Sequence, residues 1–250
     1  MIKLIILIIL FSSQIVSREN NQIEITTDQG IEVFQNQNYY LLKENVNIIS
    51  NEFELNADLV KAHFKKDLYD IIKIECEGKV FFKSKNGITA NGNILNLDTV
   101  NNTINIIGTD SSLKYNELLL TADESIFVDN TKGKFNLQGE SSKLESINLI
   151  VVGHSIIGEF ENIDNANHIT KLEVTDKKLT NIVTDKINMF ASKSIYSKEN
   201  NLIELSENVK IIRNNEIITG DYAIINTLDN SYKIKSKSSN KVKVLINNDN

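Results

Sequence analysis

The feature that most constrains the fold is a repeated pattern of short apolar runs, rich in β-branched residues and ended by Asn, Asp or Gly. Residues 200–225 hold the clearest copy, with apolar runs at 202–205, 209–212 and 217–225. Such runs, bounded by turn-forming residues, are typical of consecutive antiparallel strands. We therefore predict a strand, a tight turn at Glu207-Asn208, a second strand, a turn at Asn214-Asn215 and a third strand. Looser copies of this unit fill most of the chain.

Each copy centres on a small residue followed by a polar one, and six such pairs recur at intervals of 29 to 38 residues. The pairs are Ala57-Asp58, Ala90-Asn91, Ala122-Asp123, Gly153-His154, Ala191-Ser192 and Gly220-Asp221. A repeat of roughly this period indicates stacked supersecondary units. No segment has a convincing 3.6-residue period, and no Gly/Ser-rich linker separates the copies. The sequence therefore predicts an all-β domain of about six tandem repeats.

Two apolar columns accompany these pairs, and they are out of phase with each other. The first lies two residues before each small residue, at Leu55, Ile88, Leu120, Val151, Met189 and Ile218. The second lies five residues after it, at Ala62, Leu95, Phe127, Gly158, Tyr196 and Ile225. Strict two-residue alternation cannot place both columns on one face of a sheet. Each strand therefore either carries a bulge near the small residue or changes from one face of a bent sheet to the other.

The first residues have the pattern of a secretory signal. Lys3 supplies the positive end, residues 4–11 form a short apolar core, and Ser12, Ser13 and Ser17 are small residues near a plausible cleavage point. The apolar run is shorter than the roughly 20 residues that span a bilayer. We predict a signal peptide at residues 1–17, a mature domain at 18–250 and a periplasmic location; an uncleaved N-terminal anchor is the alternative.

The residues offer little support for catalysis, a metal or a cofactor. None of the three histidines, His63, His154 and His168, forms part of a recognised catalytic motif, and no CxxC, HExxH or phosphate-binding loop occurs. The formal net charge of −6 argues against nucleic acid, since phosphate binding needs a basic face. We therefore expect no enzyme activity, no metal and no cofactor.

The acidic residues and the single cysteine have structural interpretations. Asp58, Asp123 and Asp221 are expected to end strands or to accept hydrogen bonds from turn amides. Cys76 lies in an alternating apolar strand and is expected to be a buried structural thiol. With only one thiol, no intrachain disulfide can form.

Several short elements resemble the OstA-like/LptA family of periplasmic lipopolysaccharide-transport bridge proteins. Residues 22–29 resemble its N-terminal strand, and residues 44–48 resemble a Gly-Asn-Val element with Glu44 in place of Gly. Leu55-Asn56-Ala57-Asp58 and residues 218–221 match its apolar-x-small-Asp element. The chain is longer than is typical, and two middle copies have lost the Asp, so either a bridge protein or a longer OstA-domain relative is possible.

This resemblance implies one antiparallel sheet folded into a V-shaped β-jelly roll with an apolar interior. It implies binding of lipid A acyl chains of lipopolysaccharide in a groove, and a bridge across the periplasm. The implied partners are lipopolysaccharide, an LptC-like inner-membrane protein and an LptD-like outer-membrane protein, with end-to-end self-association as a further possibility.

The implied lipid-binding residues come from two sources. Ile23, Ile25, Leu95 and Leu97 match lining positions of the family, whereas alternation adds Phe82, Leu120, Tyr196 and Ile218. The alternative for all eight is a dry core.

The terminal strands are the second expected functional feature, because open sheet edges accept further strands. Ile23 and Ile25 would pair with the inner-membrane partner. Tyr232 and Ile234, or residues 242–246, would pair with the outer-membrane partner or a second copy. Alternating lysines near the C-terminus, at Lys233, Lys235 and Lys237 and at Lys241 and Lys243, either guard this edge or attract lipid phosphates or an acidic strand.

Two other classes compete with the lipid bridge. A structural or adhesive β-solenoid of the cell envelope would have a closed, side-chain-filled interior and bind no lipid. A carbohydrate-active β-helix enzyme would have parallel coils and clustered carboxylates, which the antiparallel turn spacing disfavours.

Overall fold

A computed structural model describes residues 23–66, 70–163, 166–237 and 241–246. The predicted signal peptide at 1–17 lies outside the described residues. No helix in these ranges is long and apolar enough to cross a membrane.

The described chain forms eighteen strands and one short 3-10 turn at Gln35–Gln37. The strands are β1 Glu24–Thr26, β2 Ile31–Phe34, β3 Tyr39–Ile49, β4 Phe53–Phe64, β5 Ile71–Ser84, β6 Thr89–Asp98, β7 Thr103–Ile107, β8 Ser111–Tyr115, β9 Leu118–Ala122, β10 Ser125–Asp129, β11 Lys134–Ser146, β12 Leu149–Ile163, β13 Ala166–Thr184, β14 Asn188–Ser197, β15 Leu202–Arg213, β16 Glu216–Asn226, β17 Tyr232–Lys235 and β18 Lys243–Ile246. All belong to one antiparallel sheet, so the predicted all-β class and single sheet are confirmed.

The sheet is a long meander in which strands pair with their neighbours in sequence, and some rows are divided into two short strands. β1 and β2 both pair with β3, β7 and β8 both pair with β6, and β17 and β18 both pair with β16. The division falls at one level across the sheet. It separates arm A, which contains β1, β8, β9, β18 and the parts of the long strands aligned with them, from arm B, which contains β2, β7, β10, β17 and the rest.

A crease runs between the two arms, because every long pairing changes register there. The shift falls between Asn56 and Leu59 in β4, between Val152 and Ser155 in β12, and between Phe190 and Lys193 in β14. These points coincide with the small-polar pairs of the sequence, or lie within a few residues of them. The predicted bulge near the small residue is therefore present.

The bulge also explains how two out-of-phase columns share one interior. In β4, Leu55 and Ala57 point inward in arm A, and Val60 and Ala62 point inward in arm B. The three-residue step from Ala57 to Val60 resets the alternation, so both columns reach the same core. Of the two alternatives, a bulge or a change of face, the bulge is the one that the structure adopts.

One member of the second column is an exception. Phe127 was expected in the apolar column but is 40% exposed. Its repeat is divided between β9 and β10, so the count of five residues from Ala122 crosses a break in the strand. Ile126 and Val128 take the inner positions instead, at 0% and 6% exposure.

The tight turn predicted at Glu207-Asn208 is wrong, because β15 runs through it without reversing. Glu207 and Asn208 have φ values of 65° and 54°, and the register shifts between Ser206 and Val209. Two consecutive left-handed residues bend the strand at the crease, as they also do at Glu44-Asn45 and Gly78-Lys79. The turn at Asn214-Asn215 is present and joins β15 to β16. The Asn-Val pairs at 45–46 and 208–209 therefore mark the crease.

The inner faces of both arms form a single hydrophobic core. Leu55, Leu144 and Ile211 contribute from arm A, and Leu137 and Leu205 contribute from arm B, all at 0% exposure. Cys76 is also fully buried, as predicted, and burial raises the pKa of its thiol to about 12.

Candidate functional site

Three clefts lie between the tips of the two arms, where the core stops. Cleft 1 has a volume of about 260 Å³. Its lining from arm A includes Leu118 and Leu120, and its lining from arm B includes Ile104 and Phe135. The complete lining is Asn86, Ile88, Ile104, Leu113, Tyr115, Leu118, Leu120, Val128, Asn130, Phe135, Phe160, Asn162 and Asn167.

Cleft 2 adjoins cleft 1 and has a volume of about 330 Å³. The two clefts share Tyr115, Leu118 and Asn167, so they are consecutive parts of one depression. The further lining of cleft 2 is Asn116, Glu117, Ser146, Ile147, Leu149, His168, Ile169 and Tyr196.

Cleft 3 continues the series toward the C-terminus with a volume of about 270 Å³. Ile187 and Met189 line it from arm A, and Ile203 and Ile225 line it from arm B. Each cleft lies near or below the lower end of the roughly 300–1,000 Å³ range of small-molecule pockets. A ligand much larger than one cleft would therefore extend along the series, which we call the groove.

The eight predicted lining residues fall into four environments. Leu120 lies in cleft 1 and Tyr196 lies in cleft 2, where burial raises the pKa of its phenol. Leu95 and Ile218 are core residues at 1% and 3% exposure.

The other four predicted residues lie outside both the clefts and the fully buried core. Ile25, Phe82 and Leu97 are partly buried against the core, and the Phe82 ring lies 5.9 Å from that of Phe53. Ile23 is 45% exposed beside the N-terminal edge. The structure therefore brings Leu120 and Tyr196 to adjoining clefts and leaves the other six outside their linings.

The sequence analysis missed most of the groove residues, including Tyr115, Leu118, Phe135 and Phe160. Leu118 could have been found because it alternates with Leu120 in one apolar run. Phe135 and Phe160 gave a weaker signal. Their rings pack 6.3 Å apart, but they come from different strands, so no local pattern links them.

The aspartates of the repeat hold the crease together. The Asp123 carboxylate accepts a hydrogen bond from the Ser141 backbone N–H at 2.9 Å, and Asp221 accepts one from the Lys237 N–H at 2.7 Å. Both donors lie in the neighbouring row of the sheet, at points where its regular backbone pairing is interrupted. The carboxylates therefore replace backbone acceptors that the bulge removes. These two carboxylates therefore accept backbone hydrogen bonds as predicted, but they do so at the crease and not in turns.

The histidines do not come together in one site. His63 Nε2 lies 3.1 Å from Glu75 Oε2, His154 follows the crease residue Gly153, and His168 lines cleft 2. In the described ranges, no group of three His, Cys, Asp or Glu side chains is placed to hold a metal ion.

The two ends of the sheet expose apolar side chains on its inner face. Ile31 and Val33 of β2 are 49% and 50% exposed, and Val244 and Ile246 of β18 are 51% and 63% exposed. In the described part of the chain, β1 and β2 pair only with β3, and β17 and β18 only with β16. Both the sheet and its core could therefore continue into another chain at either end.

The two ends carry opposite charge. Residues 23–34 at the N-terminal end contain three acidic residues and no basic one: Glu24, Asp28 and Glu32. The described residues from 231 to 246 contain five lysines and no acidic residue: Lys233, Lys235, Lys237, Lys241 and Lys243.

One protein-family model matches most of the chain. Residues 24–231 match the family described as "LptA/(LptD N-terminal domain) LPS transport protein". The chain is also similar to the crystal structure of LptH, described as the LptA-homologous periplasmic component of the conserved lipopolysaccharide transport device from Pseudomonas aeruginosa. That likeness has 9% identity and a TM-score of 0.25, and it covers 91% of this chain and 96% of the other. No curated protein sequence matches significantly.

Proposed function

The chain belongs to the LptA/LptD N-terminal domain family of lipopolysaccharide transport proteins, and on this basis we propose that it binds lipopolysaccharide in the groove and carries it across the periplasm. The observation that supports the lipid site is the series of clefts 1 to 3, which lie between the arms along the sheet. Acyl chains would enter these clefts, while the crease side of the interior stays filled by protein side chains.

The proposed site binds lipid by apolar contact. Leu118 and Leu120 line it from arm A, and Phe135 and Phe160 line it from arm B. Each CH₂ group that leaves water contributes about 0.8 kcal/mol, so several acyl chains would be held without a specific hydrogen bond. Because clefts 1 and 2 share lining residues, a chain could move between these two without full exposure to water.

The packed core changes which residues we assign to lipid. Leu95 and Ile218 are 1% and 3% exposed and line none of the three clefts, and we propose a packing role for them. Leu120 and Tyr196 remain in the proposed lipid site, joined by Tyr115, Leu118 and the other cleft residues. Ile23 and Ile25 belong to the N-terminal edge, where lipid or a partner strand could meet them.

Site-specific photocrosslinking tests the proposal. A photoreactive residue at Leu118 in the groove is compared with one at Phe127, which lies outside the groove and is 40% exposed. In cells that have an outer membrane, we expect a lipopolysaccharide adduct from position 118 and none from 127. Equal adducts at both positions, or none at 118 in folded protein, would contradict the proposal.

The sheet ends are the proposed partner surfaces. An LptC-like inner-membrane protein would add a strand to β1 and β2, and an LptD-like outer-membrane protein or a second copy would add one to β17 and β18. The half-exposed inner-face residues Ile31 and Val244 support this, because a joining chain would cover them and extend the core. Crosslinking from each position should capture different partners; the same partner from both would contradict the assignment.

The competing envelope-solenoid function draws support from the filled interior near the crease. It predicts that the three clefts stay empty and that neither edge captures a transport partner. The photocrosslinking comparison separates the two functions, because a solenoid would give no lipid adduct at position 118.

A further inference from the structure

The rim of cleft 1 consists of carboxamide side chains. Asn86, Asn130, Asn162 and Asn167 surround a floor of aliphatic and aromatic residues. Three of them are hydrogen-bonded to amide side chains: Asn162 Nδ2 donates to Asn167 Oδ1 at 3.1 Å, and Asn130 Nδ2 donates to Asn102 Oδ1 at 3.3 Å. The polar part of the rim is therefore arranged before any ligand enters.

Left-handed backbone conformation does not account for these four asparagines. Asparagine is often selected where the backbone is left-handed, and this chain has such positions at Asn102, Asn116 and Asn230. None of the four rim residues has a positive φ. Asn86 and Asn130 lie in turns, whereas Asn162 and Asn167 face each other across β12 and β13.

The described lining of cleft 1 contains no side chain that is charged at neutral pH. Among the described residues that form it, none is Asp, Glu, Lys, Arg or His. The neighbouring cleft 2 adds Glu117 and His168, and cleft 3 adds one acid and one base, Asp185 and Lys186. A phosphate drawn into such a site would lose water without gaining a cationic partner, which is unfavourable.

Building on the proposed function, we infer that cleft 1 recognises its lipid through neutral groups beside the acyl chains, namely hydroxyl, amide and ester groups, and leaves lipid phosphates in solvent. Carboxamides both donate and accept hydrogen bonds, so they match hydroxyl and acyl-linkage groups. Tyr115 and Asn167, shared with cleft 2, extend this neutral surface toward Tyr196. The sugar hydroxyls of a glycolipid would form hydrogen bonds with this neutral surface, next to the acyl chains.

The test measures binding of the full chain to two disaccharide lipids that have the same acyl chains, one with both phosphates and one with neither. We expect affinities that agree within about threefold, and a change of less than about threefold between about 50 mM and 500 mM salt, because no ion pair is made. A loss of more than about tenfold on dephosphorylation, a change of about 1.4 kcal/mol, would overturn the inference while leaving the proposed function in place. If neither lipid binds, the proposed function and this inference both fail.

Variants at the rim locate the effect. Asn130→Leu should weaken binding of both lipids by about fivefold, because a hydrogen-bonding group is lost, and Asn130→Gln should restore most of it. Lys85 is an exposed cation beside Asn86 in sequence and is absent from the lining. Lys85→Ala should leave both affinities unchanged. A selective loss of the phosphorylated lipid in Lys85→Ala would show that phosphate is read at this rim, and would overturn the inference.

Discussion

Phe135 of β11 lies directly against the backbone of Gly158 on β12. The two residues are register partners, and a Cβ placed on residue 158 would overlap the Phe135 ring. Phe135 is 2% exposed, and with Phe160 it forms part of the floor of cleft 1. The missing side chain of Gly158 therefore leaves the space that the Phe135 ring occupies.

Gly158→Ala should force the Phe135 ring out of this position. Overpacking of a well-packed core costs typically about 1–3 kcal/mol, so we expect a loss of stability in that range. The displaced ring should also reduce cleft 1 and weaken lipid binding. Chemical denaturation and a lipid titration measure the two effects.

A compensating substitution provides the control. Phe135→Leu in the Gly158→Ala background removes the ring that causes the clash, so part of the lost stability should return. The single variant Phe135→Leu measures the cost of losing the ring when residue 158 is glycine. If Phe135→Leu costs the same in the Gly158→Ala background, the two residues are not coupled and the steric explanation is wrong.

Glu207→Gly should stabilise the protein. Glu207 has a φ of 65°, a conformation that costs a residue with a Cβ on the order of 1 kcal/mol and that glycine adopts freely. Relief of this conformation should stabilise the folded protein, and the extra freedom of glycine in the unfolded chain should offset part of that effect. The net gain in stability should be about 0.5–1 kcal/mol. The neighbouring Ser206→Gly, at a position without positive φ, should instead destabilise. Unfolding curves for both variants decide the matter, and a loss of stability in Glu207→Gly would contradict the strain argument.

The repeat was visible in the sequence because the crease needs particular residues in every copy. Ala57, Ala191 and Gly220 are small where rows bend closely past one another, and Asp123 and Asp221 occupy positions where a backbone donor needs a partner. The strand class and the crease could therefore be predicted from local patterns. Glu207-Asn208 was misread because two left-handed residues bend a strand with the same residue types that close a hairpin.

The groove was harder to predict, because its boundary depends on distance from the crease and on contacts between arms. Leu95 and Leu120 are both buried in the core, at 1% and 3% exposure, yet only Leu120 also lines cleft 1. Alternation gives the face of a residue but not its height along the arm. That height is set by register shifts, and these accumulate from strand to strand.

Asp123→Ala should leave the Ser141 N–H at the crease without its protein acceptor. Losing this hydrogen bond should cost about 1–2 kcal/mol, because its acceptor is a charged carboxylate and such bonds are stronger than those between neutral groups. Asp123→Asn keeps an oxygen acceptor and should lose less. Amide hydrogen exchange at Ser141 measures the local effect; equal protection in the wild type and the alanine variant would show that the carboxylate does not hold this N–H.

Cys76 should be unreactive toward thiol reagents while the protein is folded. Burial raises the pKa of its thiol from 9.0 to about 12, so the thiolate fraction at about pH 8 is on the order of 10⁻⁴. Labelling should therefore follow unfolding. Val100, 71% exposed, supplies the control as Val100→Cys in a Cys76→Ala background, which should react at once.

The same shift makes stability depend on pH in the alkaline range. The folded-state pKa is higher than the unfolded one, so the contribution of Cys76 is complete below about pH 9 and declines as the pH rises toward 12. Cys76→Ala removes this component. The difference in stability between the wild type and the variant should therefore change above about pH 9, and a constant difference would contradict the shifted pKa.

The final prediction concerns the oppositely charged ends of the sheet. Glu24 of β1 and Lys243 of β18 both lie on the outer face of arm A, beside Ile49 and Thr219 respectively. If copies join end to end, β18 of one copy lies next to β1 of the following copy, and these side chains approach each other. An exposed ion pair contributes about 0.2–1 kcal/mol, so Lys243→Glu should weaken self-association by about two- to fivefold and reduce its salt dependence. Combining Lys243→Glu with Glu24→Lys restores opposite charges and should recover the association. Sedimentation velocity across a concentration series measures the equilibrium; equal association in the wild type, the single variant and the charge swap would show that the ends do not meet in this arrangement.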